Sequence, residues 1–473
     1  MTMMKVSFFH WKYFYALSCA VLLLFVGLSH ISSHFLNLGQ SHFMVANYVY
    51  NNWELSVSQR AEEESKPEVE SKIDRCHGRK IYMYELPQKF NADLLKNCSG
   101  GIVPWLDFCR HAQNGGLGRA LPNRTGWYES DLYMVELVFH IRMAAYPCRV
   151  LSPEEADAFY IPYYIGIDAL RFLYGPDQSH AAQHGSELVA WLEENGGDGW
   201  RKRGGVDHFM GTGRTAWDLN RPLAAGAGWG TSLLELPALS NVSVLCVERN
   251  TWVPREQAVP YLTSFHPVSP SNLAEWRGAV RSARREFLFA FVGAERRHVG
   301  LRQAVIQQCR DANNSNTDST SCAFLDCRQM KCNHNPEPII QSLLKAEFCL
   351  EPPGDSPTRR STFDALLAGC IPIFFRSDSA YEQYTWHLPP DPDAYSVYIP
   401  ENTVVNGSLN IADVLRMYSP EARARMRENI IGLIPRLIYT NMGNSGDNAF
   451  GEKDAFDLSL DGVLRRARGD SVA

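Results

Sequence analysis

Apolar positions along the chain follow two patterns in turn. Short unbroken runs, such as residues 242–248 (VSVLCVE) and 371–375 (IPIFF), have the length and composition of buried strands. Between them lie segments whose apolar residues share one side. In residues 185–195 (GSELVAWLEEN) that side carries Leu188, Val189, Trp191 and Leu192; in 454–468 (DAFDLSLDGVLRRAR) it carries Phe456, Leu460, Val463 and Leu464. Both predict helices, and the second must dock on a domain to hide its face.

The alternation runs in two sets. The first opens at KIYMYEL (80–86) and continues through ADAFYIPYYIG (156–166), interrupted by Pro162, to the helix at 185–195, GVDHFMGTG (205–213) and VSVLCVE. A proline-rich stretch, VPYLTSFHPVSPSN (259–272), reads as a linker. The second set comprises strand EFLFAFVGAERR (286–297), helix LRQAVIQQC, strand CAFLDC, helix EPIIQSLLKA, strand FCLE, strand IPIFF and strand YSVYIPE (395–401). Strands alternating with helices predict mostly parallel sheets covered by helices. A chain of 473 residues, 45% apolar and 21% charged, is long enough for two such cores. We place the first domain at 76–270, the second at 271–440, and a terminal helix and tail at 441–473.

The start of the chain breaks the pattern. Lys5 and Lys12 precede a charge-free run of 17 residues, 13–29 (YFYALSCAVLLLFVGLS), at the lower limit for a spanning helix. A cleaved signal peptide would look similar, but VGLSHISSH is a poor small-x-small cleavage site, which favours an uncleaved anchor. The lysines then keep 1–12 in the cytosol and send everything after Ser29 into the lumen. Residues 30–75, with the charged QRAEEESKPEVESK, read as a solvated stem.

Cysteines and sequons fit an oxidising compartment. Eleven of the 12 cysteines follow the anchor, so several are expected in disulfides and at least one stays unpaired. Cys370, entering the apolar strand CIPIFF, is the expected free thiol. N-x-S/T triplets at Asn97, Asn123, Asn241, Asn313 and Asn406 are expected glycan sites. A formal net charge of -6 gives no basic footprint for a polyanion, so nucleic acid is not an expected partner.

The richest chemistry lies at 354–375 (GDSPTRRSTFDALLAGCIPIFF), a loop and helix between strands FCLE and IPIFF. Such loops face the ligand cleft of parallel sheets, beyond the carboxyl ends of the strands. Gly354 and Asp355 precede a helix that Ser356, Pro357 and Thr358 start, whose free amides, capped by Ser or Thr, make an anion site. Arg359 and Arg360 add guanidinium forks that match phosphate. Arg360 and Asp364 share a face at i,i+4, so they suit a diphosphate and ribose hydroxyls, or form a surface ion pair that needs no ligand.

FCLEPPGDSPTRRSTFDALLAGCIPIFF, followed by SAYEQYTWHLP, resembles the exostosin-type glycosyltransferases of plants, particularly the xyloglucan galactosyltransferase group. NGGLG, VFHIRM, AFYIPYYIGID, RGGVDHFM, WGTSLLELPA and FVGAERR occur in the order that group shows, over roughly residues 76–466. The resemblance implies a Golgi type II membrane protein, luminal beyond one transmembrane helix, with a GT-B α/β fold of two Rossmann-like domains facing a cleft. It implies inverting transfer from UDP-galactose to xylosyl side chains of xyloglucan, with UDP-sugar as substrate and no cofactor. Galacturonosyl, arabinosyl or xylosyl transfer to another wall polymer is the alternative, as is a noncatalytic partner in a complex with other Golgi glycosyltransferases. The chain departs from the wider family at Ser361, where relatives often carry arginine, and at Asp364, often glutamate. The departure leaves the arginine-to-phosphate assignment open.

Inverting transfer needs a general base from the first domain. GGVDHFM offers Asp207 and His208, of which one is expected to face the cleft because neighbours on a strand point to opposite faces; the alternative is a buried pair that orients the loop. Gly293 and Arg296 in FVGAERR are expected at the diphosphate. Tyr381, Tyr384 and Trp386 are candidates for stacking on acceptor sugars, with core packing as the competing reading. No metal site is expected: the lone D-x-D, Asp391 to Asp393, sits in a proline turn, and Cys322, Cys327 and Cys332 are spaced for disulfides.

Overall fold

The computed structural model describes residues 76–224, 228–295, 300–314, 321–330, 332, 334–441 and 450–470. The expected anchor, the stem and Arg296 lie outside the described residues. Among those described, no helix is long and apolar enough to cross a membrane.

Two wholly parallel sheets form the frame. The first contains β1 (Ile81–Met83), β2 (Arg149–Val150), β3 (Ala158–Tyr160), β4 (His208–Gly211), β5 (Ser243–Cys246) and β6 (Glu256–Ala258), in the order β2-β1-β3-β4-β5-β6. The second contains β7 (Phe287–Gly293), β8 (Cys322–Asp326), β9 (Ala346–Glu351), β10 (Ile371–Phe374) and β11 (Val397–Tyr398), in the order β11-β10-β9-β7-β8. The helices of eight residues or more are α1 (Val135–Ala144), α2 (Ile165–Leu173), α3 (Ser186–Asn195), α4 (Pro270–Ser282), α5 (Gly300–Asn314), α6 (Pro336–Leu344), α7 (Arg360–Leu367), α8 (Pro420–Leu437) and α9 (Ala455–Arg468). Strand order reverses direction between β1 and β3 in one sheet and between β7 and β9 in the other. Ligands of open α/β sheets bind at the carboxyl ends flanking such reversals.

Several expected elements are shorter than their apolar runs. AFYIPYYIG is strand only to Tyr160: Pro162 cannot donate to the ladder, and Ile165 already starts α2. Sequence reading missed β6, whose EQA holds a buried glutamate, and α8, which Ser419 caps and Pro435 interrupts near its end. The linker at 259–272 is present but is not a solvated tether. Val259, Leu262 and Phe265 are buried, and a second crossing lies beside it, with Tyr439 donating to the Pro260 carbonyl (2.8 Å).

That second crossing leads into α9, which docks on the first domain. Asp454 and Asp457 form a capping box at its start, and Arg142 of α1 pairs with Asp454 at 2.5 Å. Phe456, Leu460, Val463 and Leu464 are all buried, as the one-sided pattern requires. At its far end Arg466 donates to the Asn241 carbonyl (3.2 Å).

Five disulfides join Cys76 to Cys148, Cys98 to Cys109, Cys309 to Cys322, Cys327 to Cys332 and Cys349 to Cys370. Cys370 is therefore paired and the free thiol is the buried Cys246, which corrects the sequence reading. The reason is register: β10 lies beside β9, with Pro372 opposite Cys349, which brings the two cysteine Cα atoms to 5.8 Å. All five sequon asparagines are exposed, although the Asn313 amide also makes two hydrogen bonds with the Cys322 backbone.

Candidate active site

The reversal between β7 and β9 opens on Gly293 and Glu351, the last residues of those strands. A Cβ on Gly293 would lie 2.9 Å from the Phe291 ring and 3.3 Å from Arg302 Nη1, so glycine leaves the space in which that guanidinium lies. Arg302, in the first turn of α5, is buried and donates to the Ala294 carbonyl (3.2 Å). Glu351 is buried and accepts a hydrogen bond from the Ser361 hydroxyl. Burial pushes its carboxyl up to about 8, and the nearby Asp364 carboxylate adds to the rise. Sequence reading gave no role to Arg302 in LRQAVIQQC or to Glu351 in FCLE, because neither is spaced from a partner in a recognisable way; the sheet topology brings them together.

The loop after β9 differs from its expected form. The helix begins at Arg360, two residues later than Thr358, and Arg359 caps it without a side-chain hydrogen bond. Ser356 and Thr358 instead hold a carboxylate from the first domain. The Ser356 hydroxyl donates to Glu248 Oε1 at 2.7 Å, the Thr358 amide donates to Oε2 at 3.2 Å, and Tyr261 donates to Oε1 at 2.5 Å. Arg359 folds back over the loop, donating to Ser356 Oγ at 2.9 Å. A Cβ on Gly354 would fall 1.7 Å from Arg359 Nη2, so only glycine leaves room for that arrangement. Asp355 lies within the same loop.

Arg360 reaches elsewhere. Its guanidinium donates to the Ser130 carbonyl (2.9 Å) and the Ser264 hydroxyl (2.7 Å) of the first domain, and its Nε lies 3.4 Å from Asp364. The i,i+4 pair is thus a part-buried strut between domains, which corrects the surface-pair reading, and the guanidinium expected at the diphosphate is turned toward the first domain. Burial raises the pKa of Asp364 despite Arg360 beside it.

Two buried carboxylates stand near the carboxyl edge of the first sheet. Glu136 of α1 accepts the Gly166 and Ile167 amides, each at 2.8 Å, and so anchors the start of α2. Glu248, two residues past β5, has hydroxyl and amide partners from the facing domain, and burial raises its pKa. Its backbone is clasped from the second domain. Tyr384 donates to the Val247 carbonyl (2.7 Å), and Gln383 exchanges hydrogen bonds with the Arg249 backbone at 2.8 and 3.1 Å.

Asp207 and His208 lie at the opposite edge. His208 is the first residue of β4 and Asp207 precedes it, so both sit at the amino end of a parallel strand, away from the cleft. His208 is buried between Phe159 and Tyr84, with Nδ1 2.8 Å from Asp207 and Nε2 2.8 Å from the Tyr84 hydroxyl. This geometry corrects the expectation that one of them faces the cleft. The aromatic candidates are also structural in position. Tyr384 is buried, Tyr381 bonds Ser396 (3.0 Å), and the Trp386 ring packs on Gly462 of α9, where an added Cβ would come within 2.2 Å. The Asp391 to Asp393 turn is exposed, with Asp391 accepting the Asp393 amide at 3.2 Å. A separate cavity of about 170 Å³, lined by Arg142, Tyr146, Phe456 and Asp457 among others, shares no residue with this site.

Two wholly parallel sheets, whose strand-end loops meet where Ser356 and Thr358 hold Glu248, fit the GT-B arrangement. A family model described as the exostosin GT47 domain matches residues 75–415. The chain belongs to the exostosin GT47 family. It is a glycosyltransferase, and its curated relatives in Arabidopsis thaliana share most of its length. It is 42% identical to the probable xyloglucan galactosyltransferase GT19, over 85% of this chain and 94% of that protein. It is 40% identical to the xyloglucan galactosyltransferase MUR3, over 84% of this chain and 63% of that protein. It is 38% identical to the xyloglucan-specific galacturonosyltransferase 1, over 83% of this chain and 57% of that protein.

Proposed function

We propose that this glycosyltransferase transfers β-galactose from UDP-galactose to xylosyl side chains of xyloglucan, as a single-pass type II Golgi membrane protein with its catalytic region in the lumen. The observation that carries the reading is the meeting of Glu248 with Ser356 and Thr358 across the two domains. Ser356 and Thr358 spend a hydroxyl and an amide on that carboxylate, which leaves Arg359 beside them and the first turn of α7 for the diphosphate. Glu351, largely protonated near neutral pH, and Asp364 line the adjoining strand reversal and would meet the ribose. The names of the relatives support the sugar and the polymer.

Glu248 is the proposed base. The acceptor hydroxyl oxygen attacks C1 of the donor from the face opposite UDP and a new C1–O bond forms. The bond from C1 to the diphosphate breaks, UDP leaves with the electron pair, and the hydroxyl proton passes to Glu248. Attack from the opposite face inverts an α-linked donor to a β-linked product. No step calls on a metal ion.

The reading is tested by offering the protein a panel of UDP-sugars with xyloglucan oligosaccharides and weighing the products. Addition of one hexose from UDP-galactose alone is expected. Incorporation of galacturonic acid would move the donor to the galacturonosyltransferase alternative. UDP binding with no donor consumed would make the protein a noncatalytic partner.

A further inference from the structure

Among the described residues, one cluster of potential ligands spans the two domains, next to Ser130, whose carbonyl accepts Arg360. His111 and Asp131 come from the first domain; His334 comes from the second, two residues after the Cys327–Cys332 disulfide. We propose that His111, Asp131 and His334 bind a zinc-class divalent cation that pins the domains together, a role separate from sugar transfer.

The three ligand atoms lie within 4.8 Å of one another. Tetrahedral zinc with bonds of about 2.0–2.1 Å sets ligand atoms roughly 3.3 Å apart, so closure asks for about 1.5 Å of side-chain adjustment at most. The partners of each group already point the right atoms inward. His111 Nδ1 lies 2.7 Å from the Glu129 carbonyl, to which it donates, and this leaves Nε2 with its lone pair. Such an outer bond to a carbonyl is what orients metal-binding histidines. Asp131 Oδ1 accepts the Tyr133 amide at 2.8 Å, while Oδ2 faces His334 Nε2 at 3.7 Å.

His334 carries two further marks. It is a non-glycine residue at φ +56°, a conformation that costs energy and is kept where it presents a side chain. Its Nδ1 is shielded from solvent and has no hydrogen-bond partner among the described residues. The two imidazoles are stacked, with centroids 3.9 Å apart at 30°, so shared ligation asks the rings to tilt until both lone pairs converge on the ion. Two imidazoles and one carboxylate suit zinc rather than magnesium or calcium, and the part-exposed His334 leaves the fourth position to water.

The test uses the full-length protein, stripped with a chelator and dialysed against zinc chloride. One zinc per chain is expected, undisturbed by excess magnesium, with a higher unfolding temperature in zinc. Cobalt chloride should give the visible absorption of a tetrahedral site. His334→Ala and Asp131→Asn should each lower zinc affinity by at least about tenfold and abolish the thermal shift. These two carry the test because His111 is buried and His111→Ala risks misfolding. Absence of bound zinc, or unchanged affinity in both variants, overturns the proposal whether or not sugar transfer is observed.

Discussion

Replacing Glu248 by glutamine separates its proposed catalytic role from a purely structural one. Glutamine keeps the shape and one carbonyl oxygen, so Ser356 and Tyr261 retain an acceptor at the Oε1 position. The Thr358 amide, 3.2 Å from Oε2, would instead meet an NH2 group, donor against donor. One lost hydrogen bond to a charged group costs about 1.5–3 kcal/mol of stability. Loss of a general base costs roughly 10²- to 10⁴-fold in kcat, or about 2.7–5.5 kcal/mol of barrier. Urea unfolding reads the first and steady-state transfer the second. Glu248→Gln should remain folded, bind donor within a few-fold of wild type, and lose at least about a hundredfold in kcat. The pH profile adds a second readout. Because burial raises the pKa of Glu248, wild-type activity should fall with decreasing pH from a point above the ordinary glutamate range, and the variant should lose that limb. A kcat within about threefold of wild type, with stability lowered, would refute the base and leave Glu248 as an interdomain clasp.

Three further substitutions probe the site and its frame. Arg359→Ala should raise the donor KM by about ten- to a hundredfold with little change in stability, whereas Arg360→Ala, which strips the strut from buried Asp364, should cost about 3–5 kcal/mol in urea unfolding. Glu351, raised from 4.5 to about 8, contributes stability that is full at low pH and is lost as pH rises through that window; Glu351→Gln should flatten this slope, and an unchanged slope would contradict the assigned burial effect. The Cys349–Cys370 bond closes a segment with a sequence separation of 21, worth about 3 kcal/mol by loop entropy, so Cys370→Ala should destabilise far more than Cys246→Ala. Alkylation under denaturing, nonreducing conditions should label Cys246 and spare Cys370.

The two-domain α/β frame was legible because parallel strands buried on both faces leave unbroken apolar runs. The terminal helix was legible for a related reason: four apolar residues on one side of α9 all required cover. Glu248 was not legible, since a single glutamate after an apolar strand has no spacing signature and its partners from the second domain are 108 to 110 positions away. Asp207 and His208 were misplaced although a signal existed: they stand before the apolar residues of β4, at the amino edge, where a parallel sheet does not bind ligands. Tyr384 and Trp386 show a different limit. Aromatic residues suited to stacking on a sugar are equally suited to filling a core, and only tertiary contacts reveal that Tyr384 holds the backbone beside Glu248. Ser356 and Thr358 have the composition of helix caps, but the hydroxyl of one and the amide of the other serve Glu248, which is why α7 starts later than its cap pattern suggests.

The central claim is that the nucleotide sits between the β7–β9 reversal and the Gly354–Arg359 turn. Hydrogen exchange of the protein with and without saturating UDP tests it most directly, because these backbone amides report contact or closure whatever sugar is used. The account predicts slower exchange at residues 351–364 and at Glu248 and its neighbours, with no change around Asp207 and His208. Unchanged exchange through 351–364 under saturating UDP, or protection confined to the amino edge of the first sheet, would contradict it.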